Sequence, residues 1–213
     1  MNVIENLIDP ERYYIKCPYD MIPKCIVVHN TANSAPAINE ITYMHRNDLK
    51  KSFHFAIDDE VIMQGLPLNR NSWHAGDGMY GYGNRYGVSI EICYSKYGGE
   101  KFDKAEDLTA QFIANLLKYN NWDITRVKKH QDFDGKYCPH RTLDGGWYRF
   151  LSMIERYLYK GDVNGDGKTD LKDVALLKQY LAKWNVQIDE DQADVNNDGK
   201  INIKDISEIL KIL

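Results

Sequence analysis

Cysteine is scarce in this chain: 213 residues contain four. That excludes a disulfide framework as the source of stability. Cys17 and Cys25 are close enough in sequence to bridge, but free thiols are the expected state. Long apolar runs are missing as well. No stretch approaches the roughly 18 consecutive apolar residues of a membrane-spanning helix, so no membrane insertion is expected. The first ten residues, Met1-Asn2-Val3-Ile4-Glu5-Asn6-Leu7-Ile8-Asp9-Pro10, have neither a basic start nor an apolar core. They do not have the form of a secretory leader, and synthesis in the cytoplasm is expected. An excess of positive charge is also lacking. The formal net charge is −4, and residues 161 to 213 account for it with 11 acidic and 7 basic residues. The remainder is balanced, which leaves no field suited to a nucleic-acid partner.

The length suits one domain of about 160 residues plus a small appendage. The boundary is expected at Lys160-Gly161, giving domains 1–160 and 161–213 with no long flexible linker. In the first, strands are expected over 25–29, 53–57, 61–65 and 88–94, and helices over 38–46 and 104–119. An amphipathic stretch follows at 147–159. Asp103 with Glu106 reads as a capping box for the second helix. Strands interleaved with helices predict an α/β fold, a mixed central sheet flanked by helices.

Three side chains carry metal-ligand chemistry. His29 ends the apolar run Cys25-Ile26-Val27-Val28, and His130 and Cys138 flank Lys136 in a single segment. Taken singly, each has a plainer reading: a hydrogen-bonded histidine at a core rim, or an inert buried thiol. Together, two imidazoles and a thiolate suit one zinc ion and leave the fourth tetrahedral corner open to water. An open corner is what a hydrolase needs.

The segments Val28-His29-Asn30-Thr31-Ala32, Gly87-Val88-Ser89-Ile90-Glu91-Ile92 and His130-Gln131-Asp132-Phe133-Asp134-Gly135-Lys136-Tyr137-Cys138-Pro139-His140 resemble the type 2 N-acetylmuramoyl-L-alanine amidases. That family shares its fold with phage lysozyme-type amidases and peptidoglycan recognition proteins. The resemblance runs from about Ile15 to Leu158 and implies zinc ligands at His29, His130 and Cys138. It implies a catalytic lysine at Lys136, to stabilise an oxyanion, and a catalytic glutamate at Glu91, to move the proton. Where the phage lysozyme branch has a tyrosine before a His-aromatic pair, this chain has Phe53 in Ser52-Phe53-His54-Phe55. The missing hydroxyl shifts the weight to Glu91. His54, Trp73 and His74 are placed near a substrate groove, with core packing as the other reading for His54. Tyr80 and Trp73 offer rings for stacking on sugar or peptide, or for packing. The implied activity is cleavage of the amide between N-acetylmuramic acid and L-alanine in bacterial peptidoglycan, after phage-type lysis or export. The other reading is a recognition protein that binds the wall without cutting it. Relatives of that kind lose the third ligand, which is present here as Cys138.

The carboxyl-terminal segment repeats itself. Asp162-Val163-Asn164-Gly165-Asp166-Gly167-Lys168-Thr169-Asp170-Leu171-Lys172-Asp173 returns 32 residues later as Asp194-Val195-Asn196-Asn197-Asp198-Gly199-Lys200-Ile201-Asn202-Ile203-Lys204-Asp205. Positions 1, 3, 5, 9 and 12 carry side-chain oxygen, Lys168 and Lys200 stand at position 7, and glycine stands at position 6, as in calcium loops. Position 12 is Asp where EF-hands usually have Glu. Two loops in register predict two calcium ions, with Asp162, Asn164, Asp166, Lys168, Asp170 and Asp173 around one and Asp194, Asn196, Asp198, Lys200, Asn202 and Asp205 around the other. Each loop leads into a helix with an apolar stripe: Leu171, Val174, Leu177 and Leu181, then Ile203, Ile206, Ile209, Leu210 and Leu213. This duplication resembles a type I dockerin, a small all-α module that binds cohesin domains. Positions 10 and 11 (Leu171 with Lys172, Ile203 with Lys204) depart from the small hydroxylated pairs common there. Cohesin docking, self-association and calcium-dependent stabilisation therefore all stay open.

Overall fold

A computed structural model describes residues 2–213; Met1 lies outside the described residues. By internal packing the chain divides into two compact units, Met1–Leu151 and Ser152–Leu213. The division falls inside a helix, upstream of the boundary read from composition. An amphipathic helix continues through that point without any turn residue to mark it.

The first unit is built on six strands: β1 (Val3–Glu5), β2 (Cys25–Asn30), β3 (Phe55–Ile57), β4 (Ile62–Gln64), β5 (Gly87–Ile92) and β6 (Val127–Lys129). Its helices are α1 (Tyr13–Lys16), α2 (Ala37–Arg46), α3 (Tyr82–Tyr86), α4 (Glu100–Asn120), α5 (Gln131–Asp134) and α6 (His140–Asp144), and α7 (Trp147–Leu158) is the helix in which the division falls. The sheet order is β1-β4-β3-β5-β2-β6. Only the β3–β4 hairpin is antiparallel, and β2 lies parallel between β5 and β6. The fold is thus a mixed sheet flanked by helices. Strand β2 is buried along its whole length, the state expected of a near-continuous apolar run in a parallel sheet covered on both faces. Strands β1 and β6 were not read from the sequence.

Alternation along β3 separates the two faces. Phe55 meets Phe112 of α4 with ring centroids 4.8 Å apart. Its neighbour Ala56 joins the cluster of Ile41 and Met44 from α2 with Met63 and Cys93. Helix α4 therefore covers one face and α2 the other. Helix α4 also corrects an expectation: it begins at Glu100, with Gly99 at the cap and no side-chain capping bond. Asp103 lies within its first turn, and Glu106 is buried and pairs with Arg149 at 2.6 Å instead of closing a capping box.

Lys16, at the end of α1, is fully buried. Its ammonium donates to Asn47 Oδ1 (2.8 Å), Leu49 O (2.6 Å) and Lys51 O (3.2 Å). A buried cation is tolerable because three acceptors replace its water, and the result is a tether on the segment after α2.

The second unit holds α8 (Leu171–Leu181), α9 (Glu190–Ala193) and α10 (Ile203–Ile212). Val174 and Leu177 of α8 pack with Ile206 and Ile209 of α10, and Val163 and Val195 complete the cluster from the two acidic loops. The expected stripes were too wide: Leu171 and Ile203 are 68% and 65% exposed, and Leu210 and Leu213 are also exposed. The first residue of each helix faces solvent, and the following turns fill the small core.

Candidate metal centre and cleft

In parallel sheets ligands bind beyond the carboxyl ends of the strands, and here β2, β5 and β6 end together. His29 is the penultimate residue of β2 and pairs in register with Glu91 of β5, so both project from one face. Ala56 also pairs with Glu91, which identifies that face as the one covered by α2. His130 follows β6 and keeps its pairing through a main-chain N–H donated to Val28 O. Gln131 N–H then donates to Cys138 O at 3.0 Å, closing the loop that returns Cys138 to His130. Asn30 secures the return by accepting from the N–H groups of Arg141 (2.8 Å) and Thr142 (3.2 Å) at the start of α6.

The three expected ligands converge. His29 Nδ1 lies 3.0 Å from His130 Nδ1 and 3.8 Å from Cys138 Sγ, and one donor atom from each residue falls within 4.8 Å of the others. Zinc–nitrogen and zinc–sulfur distances in a tetrahedron imply edges of about 3.3 Å between nitrogens and about 3.6 Å between nitrogen and sulfur. The observed separations bracket those edges, so the donor set fits zinc. All three residues are buried. Burial, with His74, His130 and Lys136 nearby, holds His29 well below the ordinary histidine range. Burial also lowers His130, against the pull of Asp134. Both shifts favour the neutral imidazole, the state that offers a lone pair. Burial raises the Cys138 thiol to about 11, so its ionisation needs a cation beside it.

The ligands stand in a cleft of about 730 Å³ whose walls include Glu40, Tyr43, Lys50, Phe53, Trp73, His74, Met79, Glu91 and Lys136. Glu91 is raised to about 8, first by burial and then by Glu40, while Lys136 opposes the shift. Its Oε2 is buried and has no hydrogen-bond partner. Lys136 is exposed in the ligand loop. Trp73 lines the cleft, but its indole N–H is committed to Ile15 O at 2.9 Å. Tyr80 is 83% exposed. His54 is placed in the core: it is fully buried, with Nδ1 3.0 Å from Ser89 Oγ and Nε2 2.9 Å from Arg70 O. Phe53 beside it lines the cleft and presents only carbon. His74 lies 2.9 Å from His29 Nε2.

Sequence reasoning passed over Asp134 and Gly76. Asp134 Oδ2 lies 3.2 Å from His130 Nε2, a pairing that its position four residues on could have suggested. Gly76 has φ +71°, and a Cβ there would fall 2.0 Å from the same carboxylate oxygen. The backbone approaches Asp134 too closely for any side chain.

The duplicated loops of the second unit have matching internal bonds. Asp162 accepts from the N–H groups of Asp166 (3.0 Å) and Gly167 (2.7 Å), and Asp194 from those of Asp198 (3.1 Å) and Gly199 (2.9 Å). Asp173 and Asp205, both fully buried, reach back to Asn164 and Asn196 and also bond the residue before each helix. Burial pushes Asp162 above the ordinary carboxylate range. Each carboxylate oxygen keeps a second lone pair, so an oxygen-rich shell fit for a hard cation is available.

The fold and cleft define an α/β protein with a two-histidine, one-cysteine cluster able to hold a metal ion in an open cleft. The N-acetylmuramoyl-L-alanine amidase model matches residues 19–141, and the type I dockerin model matches residues 160–213. The chain is 48% identical over 180 residues to N-acetylmuramoyl-L-alanine amidase CwlA of Bacillus subtilis (strain 168), covering 84% of this chain and 65% of that protein. It is 53% identical over 160 residues to the amidase XlyB of the same organism, covering 75% and 50%. The solved structure of PlyL superposes with TM-score 0.70 at 47% identity, covering 72% of this chain and 97% of that one. The PlyG catalytic domain superposes equally well at 48% identity, covering 74% and 96%. The chain belongs to the N-acetylmuramoyl-L-alanine amidase family and carries a type I dockerin segment. It spans half to two thirds of the length of these curated relatives.

Proposed function

We propose that residues 1–160 hydrolyse the amide between the lactyl group of N-acetylmuramic acid and the L-alanine of the stem peptide in bacterial peptidoglycan. The observation that carries this reading is the convergence of His29, His130 and Cys138 at the end of the sheet, beside Glu91, in an open cleft. Zinc held by those three residues would polarise the carbonyl and lower the pKa of water to about 7. Glu91, half-buried beside the ligands, takes the proton of the attacking water and delivers it to the alanine nitrogen as the carbon–nitrogen bond breaks. Lys136, carried in the ligand loop, brings its ammonium to the tetrahedral oxyanion. Cys138 favours hydrolysis over wall binding alone, because a complete ligand set has no use in a recognition module.

Residues 161–213 bind two calcium ions, which offset the crowding of their aspartates and order both loops. The exposed Leu171 and Ile203 then present a surface for a cohesin or for a second copy. The place of action is the cell wall. Among the described residues no helix is long and apolar enough to cross a membrane.

Purified cell walls treated with the full chain should lose turbidity and gain new amino-terminal alanine, with one zinc per chain by metal analysis. Loss of turbidity with new reducing sugar instead, or cleavage undiminished after chelation, would refute this reading.

A further inference from the structure

His74 was expected to touch substrate. It lines the cleft, but neither ring nitrogen is free. Nδ1 lies 2.9 Å from His29 Nε2, and Nε2 lies 3.0 Å from the main-chain oxygen of Gly83. A carbonyl only accepts, so His74 Nε2 carries the proton. In a neutral imidazole the other nitrogen is then bare and accepts. Its partner, His29 Nε2, must donate. That leaves His29 Nδ1 without a proton, and Nδ1 is the atom that faces His130 Nδ1 and Cys138 Sγ.

We propose that His74 is a positioning residue of the metal centre: braced on the Gly83 carbonyl, it accepts the Nε2 proton of His29 and thereby turns the Nδ1 lone pair of His29 toward the ion. The inference rests on the metal reading given above. Ligating histidines ordinarily pass their second ring proton to a fixed acceptor, and here that acceptor is a second imidazole. The brace is itself fixed. The N–H groups of His74 and Ala75 both donate to Asn84 Oδ1 at 2.8 Å, and Asn84 Nδ2 donates to Gly78 O at 3.0 Å. The Gly83 N–H donates to Asp77 Oδ2 at 2.6 Å. One turn therefore holds both the ring and the carbonyl against which it leans. The two rings meet edge to face, with centroids 5.0 Å apart.

The test uses the full chain. Imidazole nitrogen NMR of the metal-free wild type should find His29 and His74 both protonated at Nε2. Zinc competition against a chelator should show His74→Phe weakened about 10- to 100-fold. His74→Gln, whose amide offers an oxygen to His29 and an N–H to Gly83, should retain most of the affinity. A His29 protonated at Nδ1 overturns the proposal, as does a His74→Phe chain with wild-type zinc affinity. The wild-type spectrum decides the point even where a variant fails to fold. A wild type that takes up no zinc overturns the metal reading, and the spectrum still judges the tautomer separately.

Discussion

His29 is separated from His130 by 101 positions and from Cys138 by 109, whereas each acidic loop of the second unit closes within twelve. The two regions gather oxygen, nitrogen and sulfur in opposite ways. In the cleft, the register of β2, β5 and β6 brings buried side chains together, and the site is no more than the meeting point of a sheet already stable for other reasons. In the loops, main-chain N–H groups fold the chain around its own aspartates, and on the reading proposed above a hard cation would supply the cohesion that a small core cannot. The difference predicts that the first site should not tolerate change in any one ligand, while the second should be coupled to its own folding.

The sharpest break of this contrast is Cys138→Ser. It should abolish alanine release and zinc uptake while leaving the fold and wall binding intact, checked by amino-terminal analysis, metal analysis and wall pelleting. Glu91→Gln should lower the rate by about 10²- to 10⁴-fold with zinc retained, because it removes the proton carrier and leaves the ligands. Lys136→Ala should cost about 10²- to 10³-fold in kcat with little change in zinc content. On the other side of the comparison, calcium at one hundred times its Kd should stabilise the second unit by about 2.7 kcal/mol for each loop that binds it. Asp162→Ala should abolish the contribution of the first loop, read by calcium titration and thermal melting, with amide cleavage unchanged.

The smallest expected effect concerns Lys16. Burial, reinforced by Arg12, lowers it to about 8 from 10.5, so between those pH values the unfolded chain binds the extra proton. Stability should rise with pH across that window through this group. Lys16→Met should remove the upward slope from denaturation curves and loosen the segment after α2. An unchanged slope would show that the tether is not the source.

Much of the cleft could be read from residue types alone. Two histidines and a cysteine suggest a borderline-soft ion wherever they meet, and the motifs around Glu91 and Lys136 point to their roles. The hidden parts were those with no periodic or compositional mark. Strands β1 and β6 are three residues each, the true start of α4 has a glycine cap, and His54 could not be told from a cleft residue. Two adjacent residues of one segment, Phe53 and His54, have different surroundings, one lining the cleft and the other locked onto Ser89. Asp134 became visible only when Gly76 let the backbone press against it.

The order of residues by itself determined the loops, since their donors, turns and helix caps all lie within one short stretch, and it determined which atoms are chemically able to hold an ion in the cleft. Only the tertiary structure decided that His29, His130 and Cys138 meet, that His74 stands behind the first of them, and that Glu91 points the same way. The reason is that strand register and side-chain tautomer depend on neighbours distant in sequence, and no local pattern encodes a neighbour a hundred residues away.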